Sequence, residues 1–192
     1  MSEKFKGSKT EQNLINSFAG EAQARNRYTY FAKIAKKEGY EQIAQIFTDT
    51  AENELEHAKL FYNHIGNNPL GRVDAFYPFE LGTTSENLAS AIAGETDEFE
   101  VLYYDAEMTA KEEGFDAIAN TFHNVRMVEQ HHAQRYKKLY EQLSQGTLFS
   151  KDEEVTWICR KCGYVHKAQH APEFCPNCHH PQGYFQVLCE KY

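Results

Sequence analysis

The sequence predicts a mainly helical protein: a four-helix bundle over residues 1–148, a linker over 149–154 and a small four-cysteine module over 155–192. Three observations predict it. The first three quarters of the chain repeat internally at an offset of 74 to 75 residues. Each copy has the apolar spacing of two amphipathic helices. All five cysteines fall between Cys159 and Cys189.

The repeat defines the helices. Ala19-Gly20-Glu21 recurs as Ala93-Gly94-Glu95, an offset of 74. From Tyr28 and Tyr103 onward the offset is 75, through Glu38-Gly39-Tyr40 and Glu113-Gly114-Phe115, Phe47 and Phe122, then Glu54 with His57 and Glu129 with His132. The first copy reads as helices over about 10–37 and 40–65, the second as helices over about 84–112 and 115–145. Gly39 and Gly114 supply the left-handed residue that ends a helix. Gly66, Pro69, Gly71, Pro78 and Gly82 make the connection non-helical. Long antiparallel hairpins joined by one long crossover are the connectivity of ferritin-like four-helix bundles.

The core stripe of the second helix is Ile43, Phe47, Thr50, Glu54, His57 and Phe61; that of the fourth is Ile118, Phe122, Val125, Glu129, His132, Tyr136, Leu139 and Leu143. A glutamate and a histidine stand in both stripes where an apolar residue belongs, and a buried carboxylate needs a partner or a metal. Spacing of i, i+3 lets Glu54 with His57, and Glu129 with His132, face one cavity. Glu21 and Glu95, related by the repeat, complete a di-metal carboxylate pattern. Four carboxylates and two imidazoles suit a pair of iron or manganese ions better than zinc or calcium. Glu52, Glu56, Glu107 and Glu112 lie off the stripes and read as solvated charges; His131 is on the wrong side of its helix, and His64 and His123 read as surface or interhelical residues.

The offset slips by one residue between Glu95 and Tyr103, which are eight apart where Glu21 and Tyr28 are seven apart. An extra helical residue is absorbed as a π-bulge, and such bulges gather at functional sites. Glu98 lies at the slip and has no acidic counterpart in the first helix; it is expected as a seventh ligand or a proton-handling carboxylate. Tyr28 and Tyr103 are expected either to hydrogen-bond to ligand carboxylates or to be ordinary core tyrosines.

Cys159-x-x-Cys162 and Cys175-x-x-Cys178 present four thiolates for one tetrahedral ion, and spacing alone does not separate iron from zinc. A module of about 38 residues is too small to fold on its core alone, so metal must contribute. Trp157, Tyr164, Phe174, Tyr184 and Phe185 are expected to form its core, and Cys189 to be a small core side chain outside the quartet.

Hydrophobic residues at 41% are enough to build a core, and the net charge of -8 argues against nucleic acid. The charge is uneven: of 28 acids 2 follow Glu154, and of 20 bases 4 do, so the helical part carries -10 and the module +2. No apolar run approaches the ~18 residues of a membrane span. Met1 to Thr10 has no apolar signal segment, so the cytoplasm is the expected location.

Cys159-Arg160-Lys161-Cys162-Gly163-Tyr164 and Ala171-Pro172-Glu173-Phe174-Cys175-Pro176-Asn177-Cys178 look like the two knuckles of rubredoxin-type domains. With the duplicated helices before them, nearly the whole chain resembles rubrerythrin. The resemblance implies Glu21, Glu54, His57, Glu95, Glu98, Glu129 and His132 as di-iron positions and the four cysteines as a mononuclear iron site. It also implies reduction of hydrogen peroxide to water as protection against oxidative stress. Electrons are then expected through the cysteine-bound iron from a separate NAD(P)H-linked reductase, since no Gly-x-Gly-x-x-Gly occurs. The oppositely charged parts make a head-to-tail homodimer electrostatically plausible. The alternatives are ferritin-like ferroxidase or iron-handling activity, which leaves the module without a role, and a binding or sensing protein with a zinc ribbon.

Overall fold

The computed structural model describes residues 4–66 and 70–190; Met1 and Pro69 lie outside them, as does the expected end of the module at Tyr192. Helix α1 (Lys9–Lys37) begins at Ser8, whose hydroxyl accepts from the Glu11 amide, and ends on Lys36 and Lys37, which oppose the negative end of the helix dipole. Gly39, at φ +86°, turns the chain into α2 (Glu41–Ile65). The crossover is irregular from Leu70 to Thr83. It lies along α1, where Asn16 exchanges hydrogen bonds with the Asp74 backbone and Tyr77 donates to the Asn16 carbonyl at 2.7 Å. A capping box between Thr83 and Glu86 starts α3 (Thr84–Asp97). A π-turn over Glu98–Leu102 follows, then α4 (Tyr103–Glu112), Gly114 at φ +75°, and α5 (Asp116–Ser144). The one-residue slip in the repeat is therefore this π-turn.

The two hairpins hold each other by a crossed pair of caps. Glu38, at the end of the first, accepts from the Thr84 amide that starts α3; its repeat partner Glu113 accepts from the Lys9 and Thr10 amides that start α1. Each acid satisfies orphan N–H groups at a helix start, where the dipole favours negative charge.

Two apolar clusters fill the bundle. One contains Tyr28, Phe31, Phe47, Leu88, Tyr136 and Leu139, the other Leu14, Phe61, Tyr103, Ile118, Phe122 and Val125. On every helix the glutamates and histidines of the stripe fall between the two clusters, so the polar layer is sealed above and below. Phe47 is fully buried with ring centres of Phe31 and Tyr136 at 5.4 and 5.0 Å, and cutting such a ring back to Ala costs about 3–5 kcal/mol. No described helix is long and apolar enough to cross a membrane.

The C-terminal module is a three-stranded antiparallel sheet of β1 (Ser150–Cys159), β2 (Val165–His170) and β3 (Phe185–Val187), with β1 in the centre. The expected linker 149–154 is largely strand: Ser150 pairs with His170, and the register shifts before Val155. Trp157 and Phe185 are buried, with Tyr164 and Tyr184 packed against them. Phe174 is not part of this core, being 62% exposed, and Cys189 is exposed rather than a core side chain. The module rests on the turn between α1 and α2. Gly183 lies so close to Gly39 that a Cβ there would overlap the Gly39 carbonyl, and Phe149 stacks on Tyr40 at 6.4 Å.

Candidate metal centres

Six side chains from four helical rods meet between the clusters. Glu21, Glu54, His57, Glu95, Glu129 and His132 are each at most 7% exposed. They form two sets, Glu21, Glu54, His57 and Glu129, then Glu54, Glu95, Glu129 and His132. In each set the ligand atoms lie within 4.8 Å of one another. Glu54 and Glu129 belong to both. His57 Nδ1 is 2.8 Å from Glu54 Oε2 and 3.0 Å from Glu129 Oε1; His132 Nδ1 is 2.9 Å from Glu129 Oε2 and 3.4 Å from Glu54 Oε1. Each shared carboxylate thus turns one oxygen toward each histidine, the geometry of a bridge between two ions.

The donors fit a metal pair. Despite these short approaches, both oxygens of Glu54 and Glu129, Glu95 Oε2, and Nδ1 of both histidines have no hydrogen-bond partner among the described residues. Unsatisfied lone pairs at this burial are costly unless a cation takes them. The Nε2 of His132 faces Asn53 Oδ1 at 3.3 Å, which orients the ring with Nδ1 toward the cluster.

The charges of this layer are strongly perturbed. Burial raises the Glu21 carboxyl well above its ordinary value, and the nearby Glu129 and Glu54 add to the rise. Burial, then the charge of Glu54, lifts Glu95 to about 8. Burial opposes charge on the histidines, yet contacts with Glu129 and Glu54 raise His57 to about 10 and His132 to about 12. Burial also opposes charge on Glu129, but His132 and His57 bring it down to about 2. Without metal the imidazoles act as the cations of the layer.

Both tyrosines bond to carboxylates of these two sets, and across helices rather than along them. Tyr28 donates to Glu95 Oε1 and Tyr103 to Glu21 Oε1, each at 2.5 Å. Burial, then the charge of the accepting glutamate, holds both phenols well above 10, so they keep their protons. Glu98 stands apart from both four-residue sets. It lines a cavity of about 440 Å³ with Gly20, Arg27, Gly94, Tyr77 and Tyr103, beneath the crossover. Burial and the charge of Glu95 raise its carboxyl well above the ordinary value.

Glu107 corrects the reading of off-stripe acids: it is 5% exposed and meets Lys111, His123 and Arg126. Glu52, Glu56 and Glu112 are exposed as expected, and His64 is interhelical through Thr121 at 2.8 Å. Sequence reasoning missed Asn53, which only the histidine's orientation reveals.

In the module the Sγ atoms of Cys159, Cys162, Cys175 and Cys178 also lie within 4.8 Å of one another, with Cys159 to Cys178 at 3.8 Å and Cys162 to Cys175 at 3.6 Å. The Asn177 side chain, then the Tyr164 amide, lowers Cys162 to about 6, which favours the thiolate a metal requires.

Residues 12–140 match the family model Rubrerythrin, and residues 157–186 match Rubrerythrin, rubredoxin-like domain. The chain belongs to the rubrerythrin family. A rubrerythrin of Porphyromonas gingivalis is 47% identical over 192 residues, covering 100% of this chain and 96% of its own. A rubrerythrin of Nitratidesulfovibrio vulgaris is 41% identical over 184 residues, covering 96% of each. The solved structure of fully reduced, all-ferrous nigerythrin aligns with a TM-score of 0.65 at 32% identity, over 97% of this chain and 94% of that one. Rubrerythrins are di-iron oxidative-stress proteins, and this chain has both features of the family, the ferritin-like carboxylate and histidine site and the rubredoxin-like four-cysteine site.

Proposed function

We propose that this member of the rubrerythrin family is a cytoplasmic non-haem peroxidase, converting hydrogen peroxide, two electrons and two protons into two waters. The observation that carries the reading is the pair of four-residue sets sharing Glu54 and Glu129, in one chain with a closed four-thiolate site. Glu21, Glu54, His57, Glu95, Glu129 and His132 would hold two iron ions. Bound there, the pair supplies the two electrons that O–O cleavage needs. The four cysteines would hold a third iron, whose closed shell suits it to passing single electrons and leaves no place for substrate.

The chain's own residues handle position and protons. Glu54 and Glu129, which belong to both four-residue sets, would each serve both ions. Tyr28 and Tyr103 fix the outer carboxylates by donating to them, which leaves the opposite oxygens for metal. The cavity with Glu98 and Tyr103 on its wall would admit a small oxidant beside the layer, and burial and the charge of Glu95 favour the protonated form of the Glu98 carboxyl there. Glu98 is assigned proton delivery, and a move from the cavity wall into the layer would make it the seventh ligand.

Within one chain the module sits at the Gly39 turn, roughly 20 Å along α2 from Glu54. A head-to-tail homodimer would bring one subunit's +2 module to the other's -10 bundle and shorten that path. Electrons enter from a separate NAD(P)H-linked reductase. The test is to mix the reduced, iron-loaded chain with peroxide and, separately, with oxygen. Rapid oxidation and turnover by peroxide, without mineral, is expected; oxygen-driven mineral growth with no peroxide turnover would establish ferroxidase activity instead.

A further inference from the structure

The π-turn over Glu98–Leu102 is held from outside the metal layer. Its geometry is uncommon, and such turns gather at functional sites. The contacts that hold it come from Arg126 on α5. Its Nε donates to the Phe99 carbonyl oxygen at 2.7 Å. Its guanidinium carbon lies 5.0 Å from the Phe99 ring centre and 4.9 Å from that of Tyr104. Its Nη1 is 3.5 Å from Glu107 Oε2, and Glu107 is held in turn by Lys111 Nζ at 2.5 Å and His123 Nδ1 at 3.2 Å. Arg126 therefore ties the π-turn to the helix that follows it.

The repeat provides an internal control. At the offset of 75, Arg126 corresponds to Ala51 and Glu107 to Ala32. The first copy lacks the clamp, and its α1 is unbroken α-helix from Lys9 to Lys37. Clamp and bulge occur together.

The register matters to the metal layer. Glu21 and Tyr28, seven apart, share one face of a regular helix. Glu95 and Tyr103, eight apart, would stand about 100° further round if α3 ran on as regular α-helix; the π-turn absorbs the extra residue. Yet Glu95 accepts from Tyr28 while Tyr103 donates to Glu21, so both must face the layer together. We propose that Arg126, backed by Glu107, is a positioning residue that locks the π register, holding Glu95 and Tyr103 toward the metal layer and Glu98 at the cavity wall. This rests on the di-iron reading of the layer, and not on peroxide as its oxidant.

The test uses the full chain with iron in both sites. Arg126→Leu keeps apolar cover on Phe99 and Tyr104 but removes the donor and the charge. Amide exchange through residues 99–104 should accelerate roughly tenfold or more. The Mössbauer and visible signature of the iron pair and its reduction potential should shift, while the four-thiolate signature stays fixed. Arg126→Lys keeps charge beside Glu107 without the planar stack and should fall between. Glu107→Gln, nearly isosteric, should move the same readouts less and serves if Arg126→Leu does not fold. An iron-pair spectrum and potential equal to the parent's in both Arg126→Lys and Glu107→Gln, with only a lower Tm, would overturn the proposal. A parent inactive toward peroxide but with shifted spectra in the variants would remove the peroxidase reading and leave the clamp standing.

Discussion

Tyr28 on α1 donates its hydroxyl to Glu95 on α3 at 2.5 Å, and the repeat returns the bond, from Tyr103 on α4 to Glu21 on α1. Each half of the duplicated bundle orients the outer carboxylate of the other half. The metal layer is therefore not two half-sites placed side by side but one site whose halves depend on each other.

Removing either hydroxyl should affect both stability and metal geometry. Tyr28→Phe or Tyr103→Phe leaves a buried carboxylate oxygen without its donor, at a cost of about 1–3 kcal/mol. Denaturant unfolding of the metal-free chain should show a loss in that range for each variant, and the iron-pair spectrum of the loaded chain should shift. Unchanged stability and spectrum in both would show these bonds to be incidental.

The long-range plan of the molecule was legible because it is duplicated. Glu54 with His57 and Glu129 with His132 announce a polar layer in an apolar stripe, and the slip between Glu95 and Tyr103 locates the π-turn to within a few residues. What the sequence hides is direction. Helical spacing shows that Tyr28 and Glu21 share a face, but not that Tyr28 reaches the glutamate of the opposite helix. Glu107 misleads for a related reason: it lies off the metal stripe yet is buried on another face, where Arg126 supplies the counter-charge. Phe174 and Cys189 were misplaced because the small module has too little interior to hold every apolar side chain near its cysteines.

Metal loading should release protons and depend on pH. Glu21, Glu95, His57 and His132 all have values raised in the metal-free fold, Glu95 to about 8 and His57 to about 10. Each contributes stability to that fold which is complete below its unfolded value, 4.5 for the carboxyls and 6.5 for the imidazoles, and is lost as pH rises through the folded value. Bound metal takes the same groups deprotonated. The gain in Tm on loading should therefore grow as pH rises from 4.5 to about 8 through Glu95 and from 6.5 to about 10 through His57, with proton release visible by calorimetry in buffers of different ionisation enthalpy. A gain independent of pH, with no proton release, would contradict this charge assignment.

The shared carboxylates should differ from the outer ones in stoichiometry. Glu54 and Glu129 belong to both four-residue sets, Glu21 and Glu95 to one each. Glu54→Ala or Glu129→Ala should abolish binding of both ions of the pair. Glu21→Ala or Glu95→Ala should weaken one ion and retain the other. Metal analysis after dialysis reads the outcome, with the four-cysteine ion as an internal standard, and equal losses in all four variants would refute the bridging roles.

Docking of the module should hinge on Gly183. A Cβ there would lie 1.7 Å from the Gly39 carbonyl oxygen and 2.7 Å from its carbon, and backbone cannot rotate aside as a side chain does. Gly183→Ala must push the module off the turn between α1 and α2, at about 1–3 kcal/mol for overpacking. The bundle and the four-cysteine site lie on either side of this contact, so both should still load metal. Proteolysis between them, near Gly146, should accelerate, and electron transfer from the cysteine-bound iron to the pair should change in rate. Gly146→Ala separates strain from contact, because φ is +69° there and, its chain neighbours aside, no described residue comes within 4 Å of the added Cβ. It should cost some stability without loosening the module. If Gly183→Ala behaves like Gly146→Ala, the module is held by something other than the Gly39 turn.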